Sequence, residues 1–369
     1  MTTQQVGVGF IGCGEIAHLH AAALRDLAAD GLPVVPVAAA DPNPVHREAV
    51  SRNFPFQRSY DTAEQLLADP DVDAVWVGVP TALHRELYAR VLDAGKHLYA
   101  EKPIASDLAT VRELTDQAAR SGLVTQVGFQ SRFDPLLNRA RDLVRSGEVG
   151  PVMSYLWRDD EGFPTTEIVG ARSDWRSHRS SAGGGVLIEH SIHGLDVLGW
   201  TFGPVVRVTA VTRSVLGFDV EDTAVVVLEH ESGVVGSHVG VYGGVAEREL
   251  TRFEIQGRDA IIEIERNGVV VEAPDNTFLL QGPRSAAQRI DRAEIVADYL
   301  AEHGLSRPPF FLQDLADRAF VRSILDRTTA SPGFPDALDA HRVIEAAYRS
   351  AAERRPVDVA EVDGVDASR

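Results

Sequence analysis

The feature that most constrains the fold is a six-residue turn near the start of the chain. Val6 to Ile11 is a continuous apolar run, VGVGFI, that leads straight into Gly12-Cys13-Gly14-Glu15-Ile16-Ala17. From Ala17 to Ala28 the spacing turns helical, with Leu19, Ala23, Leu24 and Leu27 on one side. A buried strand, a G-x-G-x-x-A turn and a helix in direct succession form the opening unit of a dinucleotide-binding βαβ fold. Gly12 permits the tight turn, Gly14 lets a pyrophosphate approach the backbone, and Ala17 lets the helix pack close to the sheet. The unpaired amides at the helix start then face the phosphates. Gly12, Cys13, Gly14, Glu15 and Ile16 are therefore the expected cofactor cradle.

The same alternation recurs along the next hundred residues. Val34–Ala40, Asp73–Val79, His97–Ala100 and Thr125–Phe129 read as further strands, separated by helical stretches over 45–53, 63–67, 84–94 and 108–121. Near-continuously apolar strands alternating with helices imply a parallel sheet covered on both faces. Residues 1–130 are thus expected to form a doubly wound Rossmann domain. From residue 131 the pattern changes. After one amphipathic helix over 135–146, strands at 205–213, 223–231, 233–242, 252–257 and 260–265 run on without helices between them, with a hairpin turn at Glu231-Ser232-Gly233. Helices are expected over 291–303, 312–328 and 336–354. Residues 131–356 read as an α+β domain with a large, mostly antiparallel open sheet. Residues 357–369 read as a polar, frayed tail.

Asp41 ends the second strand, 29 residues after Gly12, the extra length being taken up by the Asp30-Gly31-Leu32-Pro33 turn. A carboxylate there accepts hydrogen bonds from the adenosine ribose and repels a 2′-phosphate. The next basic residue, Arg47, lies on the following helix and is poorly placed to offset that repulsion. NAD is favoured over NADP. A carboxylate that only caps the turn before Pro42 is the alternative.

Composition narrows the function classes. Lys and Arg number 36 against 54 Asp and Glu, a net charge of −18. That argues against a nucleic-acid or anionic-membrane binder, which needs a basic face. The single cysteine, Cys13, rules out an internal disulfide or a Cys-rich zinc site and fits a reducing cytoplasm. The first residues lack the basic region and long apolar run of a signal peptide, and no apolar stretch has the length of a transmembrane helix. No metal is expected, for want of an HExxH or Cys-rich pattern.

Glu101-Lys102-Pro103 stands at the carboxyl end of the fourth predicted strand, where ligands of such sheets bind. A lysine there can hold a substrate hydroxyl, or it can be a solvated loop residue.

Four stretches together resemble the Gfo/Idh/MocA family of NAD(P)-dependent oxidoreductases, which includes glucose-fructose oxidoreductase and inositol dehydrogenases. They are GFIGCGEIAHLH from Gly9, VPTALHRELYARVLDAGKHLYAEKP from Val79, SGEVGPV from Ser146 and GGGVLIEHSIHGLDVLGW from Gly183. A fifth, DALDAHRVIEAAYRSAAERRPV from Asp336, is weaker. The resemblance implies that Lys102 is the catalytic lysine, contacting both the reacting hydroxyl and the nicotinamide side of the cofactor, with a Lys102–Pro103 bond that is often cis in relatives. It implies that Pro80, Thr81 and His84 lie along the cofactor and that Glu101 is near the nicotinamide ribose. Glu189 and His193 occupy a D-x-x-x-H pair, with glutamate for the usual aspartate. On a helix, positions four apart share a face, so the two should meet, with Glu189 orienting a His193 that removes a hydroxyl proton. Asp196 shares that face and either orients His193 or bonds within the helix. His190 should point elsewhere and is a secondary substrate contact. Arg132, Trp175, Arg176 and His178 fall in predicted loops beside the same region and suit a sugar ring, but suit packing between the domains equally.

The expected activity is NAD-dependent oxidation of a secondary alcohol on a polyol or pyranose sugar such as an inositol, aldose or glycoside. A sugar-nucleotide ketoreductase, a redox-neutral NAD-dependent glycosidase and a non-catalytic NAD sensor are the alternatives. The sheet of the second domain, with Val225, Val227, Val235, Val239 and Val241, is expected to join subunits into a homodimer or homotetramer.

Overall fold

The computed structural model describes residues 5–162, 166–168, 171–243, 250–267, 271, 276–282, 288–305, 308–309 and 311–363. Its first sheet has six parallel strands: β1 (Val6–Ile11), β2 (Val34–Ala40), β3 (Arg58–Tyr60), β4 (Ala74–Val77), β5 (His97–Ala100) and β6 (Thr125–Val127), in the order β3-β2-β1-β4-β5-β6. β3 is one strand more than the apolar runs indicate. It is three residues long, Arg-Ser-Tyr, and gives no apolar signal. β2 and β3 are added on one side of β1 and β4 to β6 on the other, so a crevice opens at the carboxyl ends of β1 and β4, where ligands of open α/β sheets bind.

One face of this sheet is aromatic. Val6, Val8, Phe10, Trp76 and Tyr99 pack against Ala17, Ala21, Leu24 and Leu27 of the helix Glu15–Ala29. The same cluster takes in Ala316, Phe320, Val321 and Ile324 of the helix Leu312–Asp326. Trp76 stacks on Tyr99 at 5.9 Å, and Phe320 meets Trp76 edge-on at 5.1 Å. The sequence reading puts everything between 131 and 356 in the second domain. Here a helix from its far end covers the first sheet instead, because that aromatic face needs an apolar partner.

The second sheet has nine strands in the order β16-β15-β14-β13-β7-β12-β11-β10-β17. They are β7 (Val152–Glu161), β10 (Val205–Arg213), β11 (Thr223–His230), β12 (Val235–Tyr242), β13 (Leu250–Gly257), β14 (Ile261–Asn267), β15 (Thr277–Gln281), β16 (Gln288–Ile290) and β17 (Val357–Asp358). β8 (Thr166–Ile168) and β9 (Ala171–Ser173) pair separately. Every described pairing in the large sheet is antiparallel except β7 with β12. β7 lies at the centre of the sheet, yet the sequence reading passes over it. In the fold Tyr155, Trp157 and Asp159 point inward and are buried, although the strand ends in the charged run Arg158-Asp159-Asp160-Glu161. The start of the expected frayed tail is also ordered. β17 pairs with β10, and Val359–Asp363 forms a short helical turn held by Arg355 to Glu361 and Arg112 to Asp363. Residues 364–369 lie outside the described residues. No helix among the described residues is long and apolar enough to cross a membrane.

Candidate active site

A cavity of about 830 Å³ runs from the glycine turn to the inner face of the second sheet. Its near end is lined by Gly12, Cys13, Gly14, Glu15 and Ile16, together with Asp41, Pro80, Glu101 and Lys102. The two glycines are needed for different reasons. Gly12 has φ +85°, and a Cβ on it would sit 2.4 Å from the carbonyl oxygen of Gly78, so the backbone itself requires glycine. A Cβ on Gly14 would meet nothing within 4 Å. Gly14 is the N-cap of the helix Glu15–Ala29, and no side chain caps those amides. Open space in front of uncapped amides fits a phosphate-bearing ligand, so the residues present suit a dinucleotide.

Asp41 both caps and lines. It accepts the amides of Cys13 at 2.9 Å and Asn43 at 2.8 Å, and it faces the cavity. Arg47 comes closer than the sequence reading expects. Its guanidinium bonds the Asp41 carbonyl, Ser59 Oγ and the Asp61 carboxylate. It is spent on those partners, and Asp61 adds a second carboxylate to the wall.

Two of the expected cofactor contacts do not line the cavity. His84 is buried behind it, its ring nitrogens bonded to the carbonyls of Pro103 at 2.6 Å and Val79 at 2.9 Å. Thr81 is buried too, and donates its hydroxyl to Glu189 at 2.7 Å. Both brace the loops that line the cavity.

Lys102 stands just beyond β5, and its peptide bond to Pro103 is cis. Its Nζ donates to the carbonyl of Glu189 at 2.7 Å. Glu101 is held from below by His20, whose Nε2 is 3.1 Å from Glu101 and whose Nδ1 is 2.9 Å from Asp317. Trp76 donates its indole N–H to the same Asp317 at 2.9 Å. Burial opposes a charge on His20, but the two carboxylates outweigh it and push its pKa up to about 10. Burial likewise works against the Glu101 carboxylate, and His20 overrides it, holding the carboxyl below its usual range. His20 thus ties the end of β5 to the helix Leu312–Asp326.

At the far end of the cavity stand Glu189, His190 and His193, with Trp175 and Arg176. The chain does not run through this region as one helix. Val186–Glu189 and Ile192–Phe202 are separate, broken at His190 (φ −120°, ψ −53°) and Ser191. The expected meeting of Glu189 with His193 is therefore absent. Glu189 instead accepts from Thr81 and pairs with Arg176 at 3.4 Å, and burial pushes its carboxyl up. His193 has Gln130 Nε2 3.3 Å from its Nε2, while its Nδ1 is buried without a partner among the described residues. Burial, reinforced by the Lys102 charge, drives its pKa well below 6.5, so the ring is neutral. Asp196 does not orient it. Asp196 takes a two-pronged ion pair from Arg132, at 2.7 and 2.6 Å, and Arg132 also reaches Asp336 at 2.9 Å. Arg132, expected at the substrate, is thus a buried structural tie outside the cavity wall. His178 is likewise outside it, exposed and 3.4 Å from Asp174. Among the described residues no group of three or more His, Cys, Asp or Glu is arranged to hold a metal.

The cavity also has a wall that the sequence reading misses: Trp157, Asp159 and Glu161 of β7, Tyr242 of β12, Thr251 of β13 and Arg266 of β14. The alternation of Tyr155, Trp157 and Asp159, buried at every second position, is the sequence signal that marks this strand.

The comparisons with known proteins cover nearly the whole chain. Residues 6–129 match the Gfo/Idh/MocA family model described as an oxidoreductase family with an NAD-binding Rossmann fold, and residues 141–359 match that family's C-terminal alpha/beta domain. Inositol 2-dehydrogenase of Rhizobium meliloti is 27% identical, over 96% of this chain and 99% of that protein. Myo-inositol 2-dehydrogenase of Thermotoga maritima is 25% identical, over 97% and 99%. Among solved structures, a levoglucosan dehydrogenase complex with NADH superimposes with a TM-score of 0.81 at 23% identity, covering 96% of this chain and 99% of that one. At such identity the superposition speaks to the fold alone.

Proposed function

This chain belongs to the Gfo/Idh/MocA oxidoreductase family, and from that premise we propose that it oxidises a secondary alcohol of a polyol or pyranose sugar with NAD. One observation carries the reading. Lys102, from the end of the first sheet, and His193, from the other half of the chain, line one cavity with the Gly12–Gly14 turn. The names of its relatives, inositol 2-dehydrogenase and levoglucosan dehydrogenase, support a sugar or polyol substrate.

When bound, NAD supplies the acceptor for the hydride that leaves the carbinol carbon. The chain's residues do the rest. Gly12–Ile16 hold the pyrophosphate with backbone amides, and Asp41 takes the adenosine ribose hydroxyls. Lys102 positions and polarises the reacting oxygen. The neutral His193 accepts the hydroxyl proton. Glu189 does not work as the expected partner of His193. It anchors Arg176, and through its carbonyl it aims Lys102. Trp175 and Arg176 contact the sugar.

A screen of NAD reduction over inositols, aldoses and glycosides, with NADP in parallel, tests the reading; no reduction by any of them overturns it. Three further results are expected. Asp41→Ala should weaken NAD binding by about tenfold, ~1.4 kcal/mol, and narrow the preference over NADP, as read by titration of both cofactors. His193→Ala should lower kcat by about 10²–10⁴-fold. In the wild type the acid limb of kcat/KM should fall well below pH 6.5, because only protonation of an already depressed imidazole removes the base; a limb at or above that value would remove His193 from this role. Leu156, Val211, Val225, Val227 and Val235 are exposed on the strands of the second sheet, apolar surface that suits a homodimer or homotetramer. Light scattering at micromolar concentration should report one, and a monomer would count against it.

A further inference from the structure

The substrate end of the cavity contains an ion pair that the proposed chemistry leaves unused. Glu161 ends β7, and His190 sits at the break between Val186–Glu189 and Ile192–Phe202. The break takes His190 off a regular helical path, so its ring lies against Glu161 instead of pointing away. His190 Nδ1 bonds Glu161 Oε2. Both side chains line the cavity and keep part of their surface open, 23% for His190 and 20% for Glu161. His190 is 6.3 Å, ring to ring, from His193 and 6.5 Å from Tyr242.

The pair has capacity to spare. Burial opposes charge on His190, but the Glu161 carboxylate prevails and raises it to about 9, so the ring carries both N–H groups at neutral pH. Nδ1–H is given to Glu161. That contact uses one ring nitrogen and one carboxylate oxygen, so each partner keeps a second polar atom, Nε2–H on His190 and the other oxygen on Glu161, on side chains that line the cavity. One charged donor and one charged acceptor thus sit side by side, a short step from the base. A hydroxyl group uses both, accepting from one and donating to the other. An anionic substrate group would be drawn to Lys102 and Arg176 but would meet the Glu161 carboxylate beside them.

Resting on the polyol reading above, we propose that the Glu161–His190 pair recognises a second hydroxyl of the substrate, distinct from the one oxidised, and so restricts the cavity to uncharged polyols in which that hydroxyl is free. It acts on specificity. The reacting carbinol stays with Lys102 and His193.

The test needs no knowledge of the natural substrate. The protein is loaded with NADH, and myo-inositol, scyllo-inositol, levoglucosan and their single-deoxy analogues are titrated by the change in bound NADH fluorescence. KM and kcat are measured alongside with NAD. In the wild type, loss of one particular hydroxyl should weaken binding by about tenfold to a hundredfold, the size of a lost hydrogen bond to a charged group. In Glu161→Gln and His190→Gln the parent polyol should weaken similarly, while the analogue lacking that hydroxyl binds as it does to the wild type. The wild-type comparison stands even if a variant fails to fold. Absence of any such hydroxyl in the wild type, or variants that weaken parent and analogue alike, overturns this inference and leaves the oxidoreductase reading intact. Binding without oxidation overturns the redox reading and leaves the pair to be judged on the binding ratios. If no polyol binds at all, both fail.

Discussion

Lys102→Ala is expected to abolish useful turnover, by about 10²–10⁴-fold in kcat, while NAD still binds. The separation of effects comes from where Lys102 stands. The amides that face the phosphates belong to the Gly12–Ile16 turn beyond β1, whereas Lys102 lies beyond β5, with β4 between the two strands. The Lys102 ammonium is anchored by the carbonyl of Glu189, and it lines the same cavity as His193. Removing it takes away the cation that holds the reacting oxygen. It also takes away one of the charges that keep His193 neutral, so the acid limb should move toward ordinary histidine values. Steady-state rates with NAD titration by fluorescence check both parts. Unchanged activity would remove Lys102 from the mechanism, and lost NAD binding would make it a cofactor residue.

The second large effect is on stability. Asp317→Ala should destabilise the protein by about 3–5 kcal/mol, because it leaves a buried imidazolium short of a counter-ion and strips the Trp76 indole N–H of its acceptor. Asp317→Asn, which keeps an acceptor for Trp76, should lose less. The pH dependence gives a separate signature. His20 is raised from 6.5 to about 10 in the fold, so it binds more proton folded than unfolded. Its contribution is complete below about pH 6.5 and is lost as pH rises toward about 10. Urea midpoints from pH 6 to 10 should fall in the wild type and fall less in Asp317→Ala. Parallel pH profiles in the two proteins would show that His20 is not the titrating group.

How much of this was legible in the sequence depends on whether a feature is local. The glycine turn announces itself because Gly12, Gly14 and Ala17 serve neighbours in the chain. Lys102 is marked by its place at a strand end. β7 is legible only in part: Tyr155 and Trp157 alternate as a strand should, but its charged end, Arg158-Asp159-Asp160-Glu161, is stabilised by distant partners. Asp159 accepts from Trp157, His238 and Thr251, the last two on other strands. The pairing of Glu189 with His193 fails for a similar reason. Spacing of four supposes an unbroken helix, and the chain breaks at His190. For Arg132 the sequence leaves sugar contact and domain packing equally open, because nothing in its neighbourhood names Asp196 and Asp336 as its partners. The covering of the first sheet by Leu312–Asp326 joins residues 241 apart, as Asp317 and Trp76 show.

That last covering sets a schedule for synthesis. A ribosome releases β1 to β6 long before it reaches Phe320, so the growing polypeptide carries Phe10, Trp76 and Tyr99 with part of their apolar surface still uncovered. Here the amino-terminal half reaches its finished form only when the carboxyl-terminal helices emerge, and cutting the gene between the two would yield a piece with an adhesive flank.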